Sequence, residues 1–314
     1  MSNAREYNFT LIFYLKESIN VLDSSQMKSL KPLIFAALLL ICAQLTASER
    51  GSKSQGDRVN SNAQGQLPKL KDSISDNWVD LYKPYSDGPM QYRLLKPIGF
   101  DSKKKYPVIV SLHGAGGKGI DNRKQLKGWN KILAGKQIRT KYACYVLAPQ
   151  ANRMWNATDL KNIKNVISKL PSVDMSRIYI LGHSMGGHGA YIIIQIDPNY
   201  FAAAAPSAGA GRPRTEAFID VSLIKDLPVW AFHGDKDRVC PIDRAQKVFD
   251  DMKKLKGNMK FTIWSGDKHG IAEKMFIGGD NGTTYISSAR CNKEPDFMKW
   301  LFAQKRTEKQ ATDK

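Results

Sequence analysis

The feature that most constrains this chain is a tight turn between an apolar run and a helical segment. Residues 178–181 are apolar at successive positions, and a Gly-x-Ser-x-Gly sequence follows at 182–186. The apolar residues 191–194 then predict a helix. A residue on such a strand-to-helix turn has a strained backbone, and only glycine on either side clears the neighbouring elements. The stretch therefore predicts a buried strand, a sharp turn that exposes the Ser184 hydroxyl, and a helix.

A serine hydroxyl at this turn needs two partners to act as a nucleophile. Near neutral pH it requires a base and a group that orients the base. In this architecture the expected chain order is serine, then Asp or Glu, then His. An apolar run at 229–232 ends in a polar loop with Asp235 and Asp237, and a later apolar run precedes His269. The order fits, with His269 as the base and the choice of carboxylate open, Asp267 being a more remote alternative.

The negative charge that develops during nucleophilic attack needs two hydrogen-bond donors. One is expected to be the backbone N–H of Met185, directly after the serine. The other is expected from the Gly-rich loop at 112–117, because glycine lets N–H groups turn towards an anion. We select the Ala115 N–H as this second donor.

Short apolar runs alternate with amphipathic segments from about residue 74, which predicts an α/β domain over 74–305. The sheet is expected to be mostly parallel and covered on both faces, because 108–112 is apolar at successive positions. The predicted strands are 90–95, 108–112, 144–147, 178–181, 201–205, 229–232 and 261–264, and the predicted helices include 160–170, 243–255 and 295–302.

These motifs resemble the α/β-hydrolase superfamily. More narrowly, they are similar to the phospholipase/carboxylesterase, feruloyl-esterase and polyhydroxybutyrate-depolymerase-like esterases, a group that includes predicted peptidases. The similarity spans about residues 90–302 and includes the Val-Asp-x-x-Arg-Ile-Tyr sequence at 173–179. It implies an α/β-hydrolase fold, with a mostly parallel central sheet and helices on both faces. It also implies that the acid is the second Asp of the His-Gly-x-x-Asp pattern, Asp237.

Two features depart from that group. Cys240 precedes Pro241, where the group usually runs Val directly into Pro. The segment 206–227 is too short for the bulky lid of many lipases. We therefore expect an open pocket without a large lid.

The chain is predicted to be an exported serine hydrolase that cleaves carboxylic esters. The catalytic residues are expected to be Ser184, His269 and Asp237, and the reaction is expected to pass through an acyl-enzyme. Short acyl esters, or acetyl and feruloyl esters on a polysaccharide, are the expected substrates. No metal or organic cofactor is implied. The alternatives are a prolyl-oligopeptidase-like peptidase and a non-catalytic binding protein on a hydrolase scaffold.

Two aromatic residues are candidate substrate contacts. Trp155 follows a predicted strand end and could line the pocket, or could be a partly buried surface aromatic. His113 is the second candidate, although a histidine before a glycine at a strand end more often braces the turn, as is also expected of His233.

The basic composition limits the partners that the chain is expected to have. The formal net charge is +19, from 48 Lys and Arg against 29 Asp and Glu. The lysines are scattered, and neither a helix-turn-helix nor a zinc spacing is present. We expect no specific nucleic-acid binding and at most a weak affinity for anionic polymers.

The N-terminal residues predict export. Two lysines, the apolar run 33–41 and a small-residue segment ending at Ala47 match a secretory signal over 27–47, so Met27 is a candidate start. Cys42 loosely resembles a lipoprotein cysteine, although Ile41 before it is not small. The predicted organisation is an extension with signal peptide at 1–47, a flexible linker at 48–73, the catalytic domain at 74–305 and a disordered tail at 306–314. A Cys240–Cys291 bridge is one possible use of the remaining cysteines.

Overall fold

The described part of the chain is built on one ten-stranded sheet. The computed structural model describes residues 58–59, 76–86, 88–211 and 219–306, which belong to the unit Asp57–Lys314. The predicted signal segment at 27–47 with Cys42, and the predicted tail from 307 onward, lie outside the described residues. The strands are β1 (Arg58–Val59), β2 (Tyr82–Tyr85), β3 (Tyr92–Leu95), β4 (Tyr106–Leu112), β5 (Tyr145–Pro149), β6 (Val173–His183), β7 (Ala203–Ser207), β8 (Val229–Gly234), β9 (Met259–Trp264) and β10 (Gly282–Ile286).

The sheet is parallel in its centre and antiparallel at both edges. The strand order is β1-β10-β9-β8-β7-β6-β4-β5-β3-β2. All pairs from β9 to β5 are parallel, and the pairs outside them are antiparallel. This confirms the expected mostly parallel sheet.

Helices cover both faces of the sheet, as predicted. Along β4, Val108 and Val110 enter one hydrophobic core and Ile109 enters another, because successive side chains of a strand point to opposite faces. The helices are α1 (Gly128–Ala134), α2 (Lys136–Lys141), α3 (Ala157–Ser168), α4 (Met185–Ile196), α5 (Asp243–Lys254), α6 (Lys274–Ile277) and α7 (Phe297–Ala303). The first core contains side chains of α3, α4 and α5, and the second contains those of α1, α2, α6 and α7.

Every predicted strand is present within a few residues, whereas the strands β1, β2 and β10 and the helices α1, α2 and α6 were not predicted. Strand β2 has only Tyr82 fully buried, and β10 alternates buried and half-buried residues, so neither carries a continuous apolar run. Helices α1 and α2 contain seven and six residues, too short for a clear helical period.

Three residues of the predicted linker and tail are ordered. Arg58–Val59 of the predicted linker pairs with β10, whose free edge offers unpaired backbone groups. Arg306, the first residue of the predicted tail, donates its backbone N–H to the Ser176 carbonyl at 2.9 Å. These residues therefore form backbone hydrogen bonds at the sheet edge and beside β6, and the domain boundaries stay a prediction.

The parallel centre brings the candidate site residues to one edge of the sheet. Ser184 follows β6, Asp237 follows β8 and His269 follows β9. The carboxyl ends of parallel strands lie at the same edge, so the three loops meet there. None of the helices in the described ranges has the length and apolar character that a bilayer crossing requires.

One lysine is buried in the aromatic core below the sheet edge. Lys260 on β9 is 1% exposed, and its Nζ lies 3.4 Å from the ring centroid of Trp230. Its Nζ also donates to the Glu294 carbonyl at 2.5 Å. Burial lowers the pKa of Lys260 to about 7, although the nearby Cys291 and Glu294 favour the charged form.

The buried lysine makes stability depend on pH. The pKa of an unfolded lysine is about 10.4, so between that value and about 7 the unfolded chain binds a proton that the folded chain lacks. Stability therefore rises with pH across this window. Lys260→Met removes the titrating group. The unfolding free energy of the wild type should therefore increase relative to that of the variant between about pH 6 and about pH 10. Guanidinium denaturation at both pH values measures it. Lys161→Met, an exposed change on α3, should show no such trend, and a constant gap for Lys260→Met would contradict the argument.

Candidate active site

Ser184 lies at a sharp turn between β6 and α4 with a strained backbone. Its φ is 58° and its ψ is −121°, a region that residues other than glycine rarely adopt. The Ser184 N–H donates to the Ser207 carbonyl of β7 at 2.9 Å, which anchors the turn to the next strand. The turn points the Ser184 hydroxyl away from the sheet edge, as the sequence predicted.

Two glycines around Ser184 allow a close approach of backbone segments. A Cβ at Gly186 would lie 2.2 Å from the Leu112 carbonyl oxygen, and one at Gly182 would lie 2.3 Å from the Gly186 carbonyl oxygen. Real Cβ atoms do not come so close to backbone oxygens, so a side chain at either position would push α4 away from β4. The Gly-x-Ser-x-Gly spacing is therefore a packing requirement of this turn.

The structure brings Ser184, His269 and Asp237 into one hydrogen-bonded row. The Nε2 atom of His269 is 2.9 Å from the Ser184 Oγ, and its Nδ1 atom is 2.7 Å from an oxygen of Asp237. A neutral imidazole protonated on Nδ1 satisfies both contacts, since it donates to the carboxylate and accepts from the hydroxyl. The His269 side chain is 23% exposed.

The carboxylate of Asp237 is held by several donors. Its Oδ1 accepts from the backbone N–H groups of Val239 at 2.8 Å and Cys240 at 2.9 Å. Burial by itself would raise the pKa of Asp237, but hydrogen bonds with His233, His269 and these two amides hold it below its usual range. The buried group therefore stays ionised.

The other two candidate carboxylates, Asp235 and Asp267, contact other residues. Asp235 accepts from the Gly266 N–H at 2.7 Å, and Asp267 forms an ion pair with Lys274. Of the three carboxylates left open by chain order, Asp237 is the one that contacts His269.

A second histidine packs beside His269. The two rings of His183 and His269 have centroids 4.8 Å apart, and His183 Nδ1 lies 3.2 Å from the Ser207 Oγ. Burial lowers the pKa of His183 to about 3, and the neighbouring His269 acts in the same direction. His183 is therefore neutral at physiological pH and adds no charge beside the row.

A cavity of about 140 Å³ opens beside the Ser184 hydroxyl. The amides of Met185 and Ala115 belong to two residues of its wall, and the first amides of a helix have no acceptor inside that helix. Neither amide donates to a backbone carbonyl in the part of the chain that the structure describes. The lining residues are Ala115, Lys118, Met154, Ser184, Met185, His188, Gly209, Gly211 and Cys240.

The two predicted substrate contacts need correction. Trp155 is 3% exposed, and its Nε1 donates to the His113 carbonyl at 3.2 Å. His113 is fully buried, and its Nε2 accepts from the Ala151 N–H at 3.0 Å. Neither side chain lines the cavity, because each braces the loop after β4 from within the core. The pocket residue of this region is the adjacent Met154, whose apolar side chain gives no signal of that role in the sequence.

The cysteines and acidic residues give no metal site or disulfide in the described residues. Cys144, Cys240 and Cys291 are buried and none of them is in a disulfide, so the possible Cys240–Cys291 bridge does not form. Across the described ranges, no group of three or more His, Cys, Asp or Glu side chains could hold a metal ion. Cys240 instead lines the cavity beside Ser184, which chain position alone did not indicate.

Comparisons with known proteins identify a family and several similar structures. The family model described as "Dienelactone hydrolase family" matches residues 141–304. A solved thermostable esterase is 29% identical with a TM-score of 0.58, and the match covers 73% of this chain and 64% of that chain. An acylaminoacyl peptidase in complex with a chloromethyl ketone is 17% identical with a TM-score of 0.50, covering 74% of this chain and 44% of that one.

A feruloyl esterase module from Clostridium thermocellum complexed with sinapinate is 17% identical with a TM-score of 0.48, covering 63% of this chain and 87% of that one. No curated protein matches the sequence. The fold is that of the α/β-hydrolases. The chain spans about two thirds of the thermostable esterase and less than half of the acylaminoacyl peptidase.

The packing at Gly186 predicts the effect of adding one methyl group. In Gly186→Ala the new Cβ meets the Leu112 carbonyl oxygen at 2.2 Å, so α4 must shift and stability should fall by at least about 2 kcal/mol. Gly88→Ala is the matched control, since nothing lies within 4 Å of its Cβ. Thermal unfolding measures both. Equal melting temperatures for the two variants would show that the close approach is not required.

Proposed function

The chain belongs to the dienelactone hydrolase family and is a hydrolase, and on this premise we propose that it cleaves carboxylic esters with Ser184 as nucleophile. The observation that carries the proposal is the hydrogen-bonded row from Ser184 through His269 to Asp237, with contacts of 2.9 and 2.7 Å. The 29% identity to a thermostable esterase supports the choice of an ester.

In the proposed reaction the Ser184 Oγ attacks the acyl carbon while His269 Nε2 takes the hydroxyl proton. The carbonyl oxygen becomes an oxyanion, which the N–H groups of Met185 and Ala115 stabilise. When the C–O bond to the alcohol breaks, the imidazolium returns the proton to the leaving oxygen. A water deprotonated by His269 then attacks the acyl-enzyme, and the acid leaves as Ser184 regains its proton.

The electrostatics of the site suit this proton transfer. The ionised Asp237 stabilises the imidazolium that forms on His269 and holds its Nδ1 proton in place. The neutral His183 packs against the same ring without opposing the new positive charge. The buried carboxylate therefore favours the charged state that attack on the ester creates.

The cavity size favours a short acyl group. Pockets that hold drug-sized ligands run from about 300 to 1,000 Å³, whereas the space beside Ser184 is about 140 Å³. An acetyl group suits this volume better than a feruloyl group does.

A peptide bond has a poorer leaving group than an ester. Turnover of p-nitrophenyl acetate compared with that of p-nitroacetanilide, which has the same acyl group, therefore distinguishes esterase from peptidase activity.

Export and affinity for anionic polymers stay predictions. The signal segment at 27–47 lies outside the described residues. Protease protection of the full chain in cell fractions would test export, and retention on heparin at moderate salt would test polymer affinity.

The first prediction for the mechanism concerns the nucleophile. Ser184→Ala removes the attacking oxygen, so kcat/KM for p-nitrophenyl acetate should fall by about 1,000-fold or more. A fluorophosphonate probe should label the wild type and not the variant. Ser168→Ala, an exposed change on α3, is the control for folding and purity. An intact wild type that neither turns over the ester nor reacts with the probe would support a binding protein instead.

The second prediction compares two neighbouring carboxylates. Asp237→Asn removes the charge that orients His269, so kcat should fall by about 1,000-fold or more. Asp235→Asn should change kcat less than about threefold, because an amide oxygen can still accept from the Gly266 N–H. Stopped-flow or steady-state ester hydrolysis measures both variants. A larger loss for Asp235→Asn would reassign the acid.

A further inference from the structure

A second, larger cavity lies next to the one beside Ser184. Its volume is about 380 Å³, within the range of ligand-binding pockets. We name it the amide cleft, because Gln91, Gln150, Asn152 and Asn162 are among its lining residues. The lining residues are Ser86, Gly88, Pro89, Met90, Gln91, Gly119, Ile120, Gln150, Ala151, Asn152, Arg153, Thr158, Asp159 and Asn162.

The amide cleft shares a wall with the Ser184 cavity. Lys118 lines the Ser184 cavity and the next residue, Gly119, lines the cleft. In the same way, Met154 lines the Ser184 cavity, and the residue before it, Arg153, lines the cleft. Consecutive Cα atoms are about 3.8 Å apart, so at both places a single residue step leads from one cavity to the other. The two segments are joined by a hydrogen bond from the Gly119 N–H to the Ala151 carbonyl at 3.3 Å.

Two of the described lining residues of the amide cleft are ionisable. They are Arg153 and Asp159, and they form an ion pair at 2.8 Å. The Asp159 carboxylate also accepts from the Asn156 N–H at 2.9 Å. Among its described lining residues, the cleft therefore offers no unpaired cation for an acidic ligand, although the formal net charge of the chain is +19.

The cleft instead offers neutral hydrogen-bonding groups. The Gln91 Oε1 is buried and has no hydrogen-bond partner among the described residues. In the same part of the chain, the side chains of Asn152, Asn162 and Thr158 line the cleft without a hydrogen bond to protein. An amide side chain both donates and accepts, as a hydroxyl group does. A buried polar atom without a partner is costly unless a ligand or water satisfies it.

We infer that the amide cleft binds the alcohol part of the ester, and that this alcohol is a neutral polyol such as a sugar. The inference rests on the proposed function, since it places the acyl group in the 140 Å³ cavity and the leaving alcohol in the 380 Å³ cleft. Sugar hydroxyls pair with the amides, and the exposed side chain of Ile120 offers apolar surface to the C–H face of the ring.

A matched pair of esters tests the chemistry of the alcohol. Methyl 6-O-acetyl-glucopyranoside and cyclohexylmethyl acetate have the same acyl group and a six-membered ring, but only the first carries ring hydroxyls. The acyl-enzyme is identical for both, so a difference in kcat/KM reports the alcohol part alone. The wild type should prefer the glucoside ester by about tenfold or more.

Variants of the cleft assign that preference to particular residues. Gln91→Met and Asn162→Ala should each lower kcat/KM for the glucoside ester by about fivefold, mainly through KM, and change cyclohexylmethyl acetate by less than about twofold. Gln91→Met removes an unpartnered buried oxygen, so its melting temperature should hold or rise. Asn165→Ala is the matched control, because Asn165 lies on the same helix, α3, outside the cleft.

The outcomes separate this inference from the proposed function. Ser184-dependent hydrolysis of both esters without a preference, or equal losses on both esters in the cleft variants, would overturn the inference and leave the esterase proposal standing. Ester hydrolysis that survives Ser184→Ala would overturn the proposed function itself. A lowered melting temperature for Gln91→Met would show that its amide supports the fold, which contradicts a ligand-binding role for Gln91.

Discussion

The close approach of helix α4 to strand β4 is the contact on which the site depends. It is possible because Gly186 has no side chain to meet the Leu112 carbonyl, and it holds the backbone of Ser184 at a φ of 58°. The same turn sets the direction of the Ser184 hydroxyl and of the Met185 amide. A helix moved outward by one side chain would displace the hydroxyl from His269 and the amide from the cavity together. The geometry of the site is thus a result of backbone packing, and local backbone strain is maintained by the sheet around it.

Charge is distributed unevenly between the surface and the site. The chain as a whole is strongly basic, yet the hydrogen-bonded row contains a single buried carboxylate, Asp237, and the His183 imidazole beside it is kept neutral by burial. One negative charge in that position stabilises a protonated His269 more strongly than the same charge would at the surface, where water screens it. In the described lining of the amide cleft, Arg153 and Asp159 also pair with each other. The basic surface therefore need not determine which ester binds.

The two cavities differ in the way that the two halves of an ester differ. The space beside Ser184 is small and next to the reacting hydroxyl, and the amide cleft is larger and lined with neutral polar groups. The loop after β4 and the loop after β5 separate them, and both loops are braced from inside by His113 and Trp155. These two aromatic residues therefore shape the wall between the cavities although neither contacts their contents.

Local patterns were enough to predict much of this protein. Continuous apolar runs predicted the central strands, since parallel strands that are buried on both faces are apolar at successive positions. The chain order of Ser184, Asp237 and His269 on loops after such strands indicated which residues would meet. Strand β2 at one edge of the sheet and β10 next to the other edge have no continuous apolar run, because several of their residues remain half exposed or exposed.

What only the tertiary structure decided is which side chains reach a cavity. Trp155 and Met154 are adjacent in the chain, but one packs into the core against His113 and the other lines the space beside Ser184. Asp235 and Asp237 are two residues apart, and their roles differ because the loop after β8 turns one towards Gly266 and the other towards His269. Sequence patterns specify the type and order of elements, whereas side-chain direction on a loop depends on contacts with residues far away in the chain.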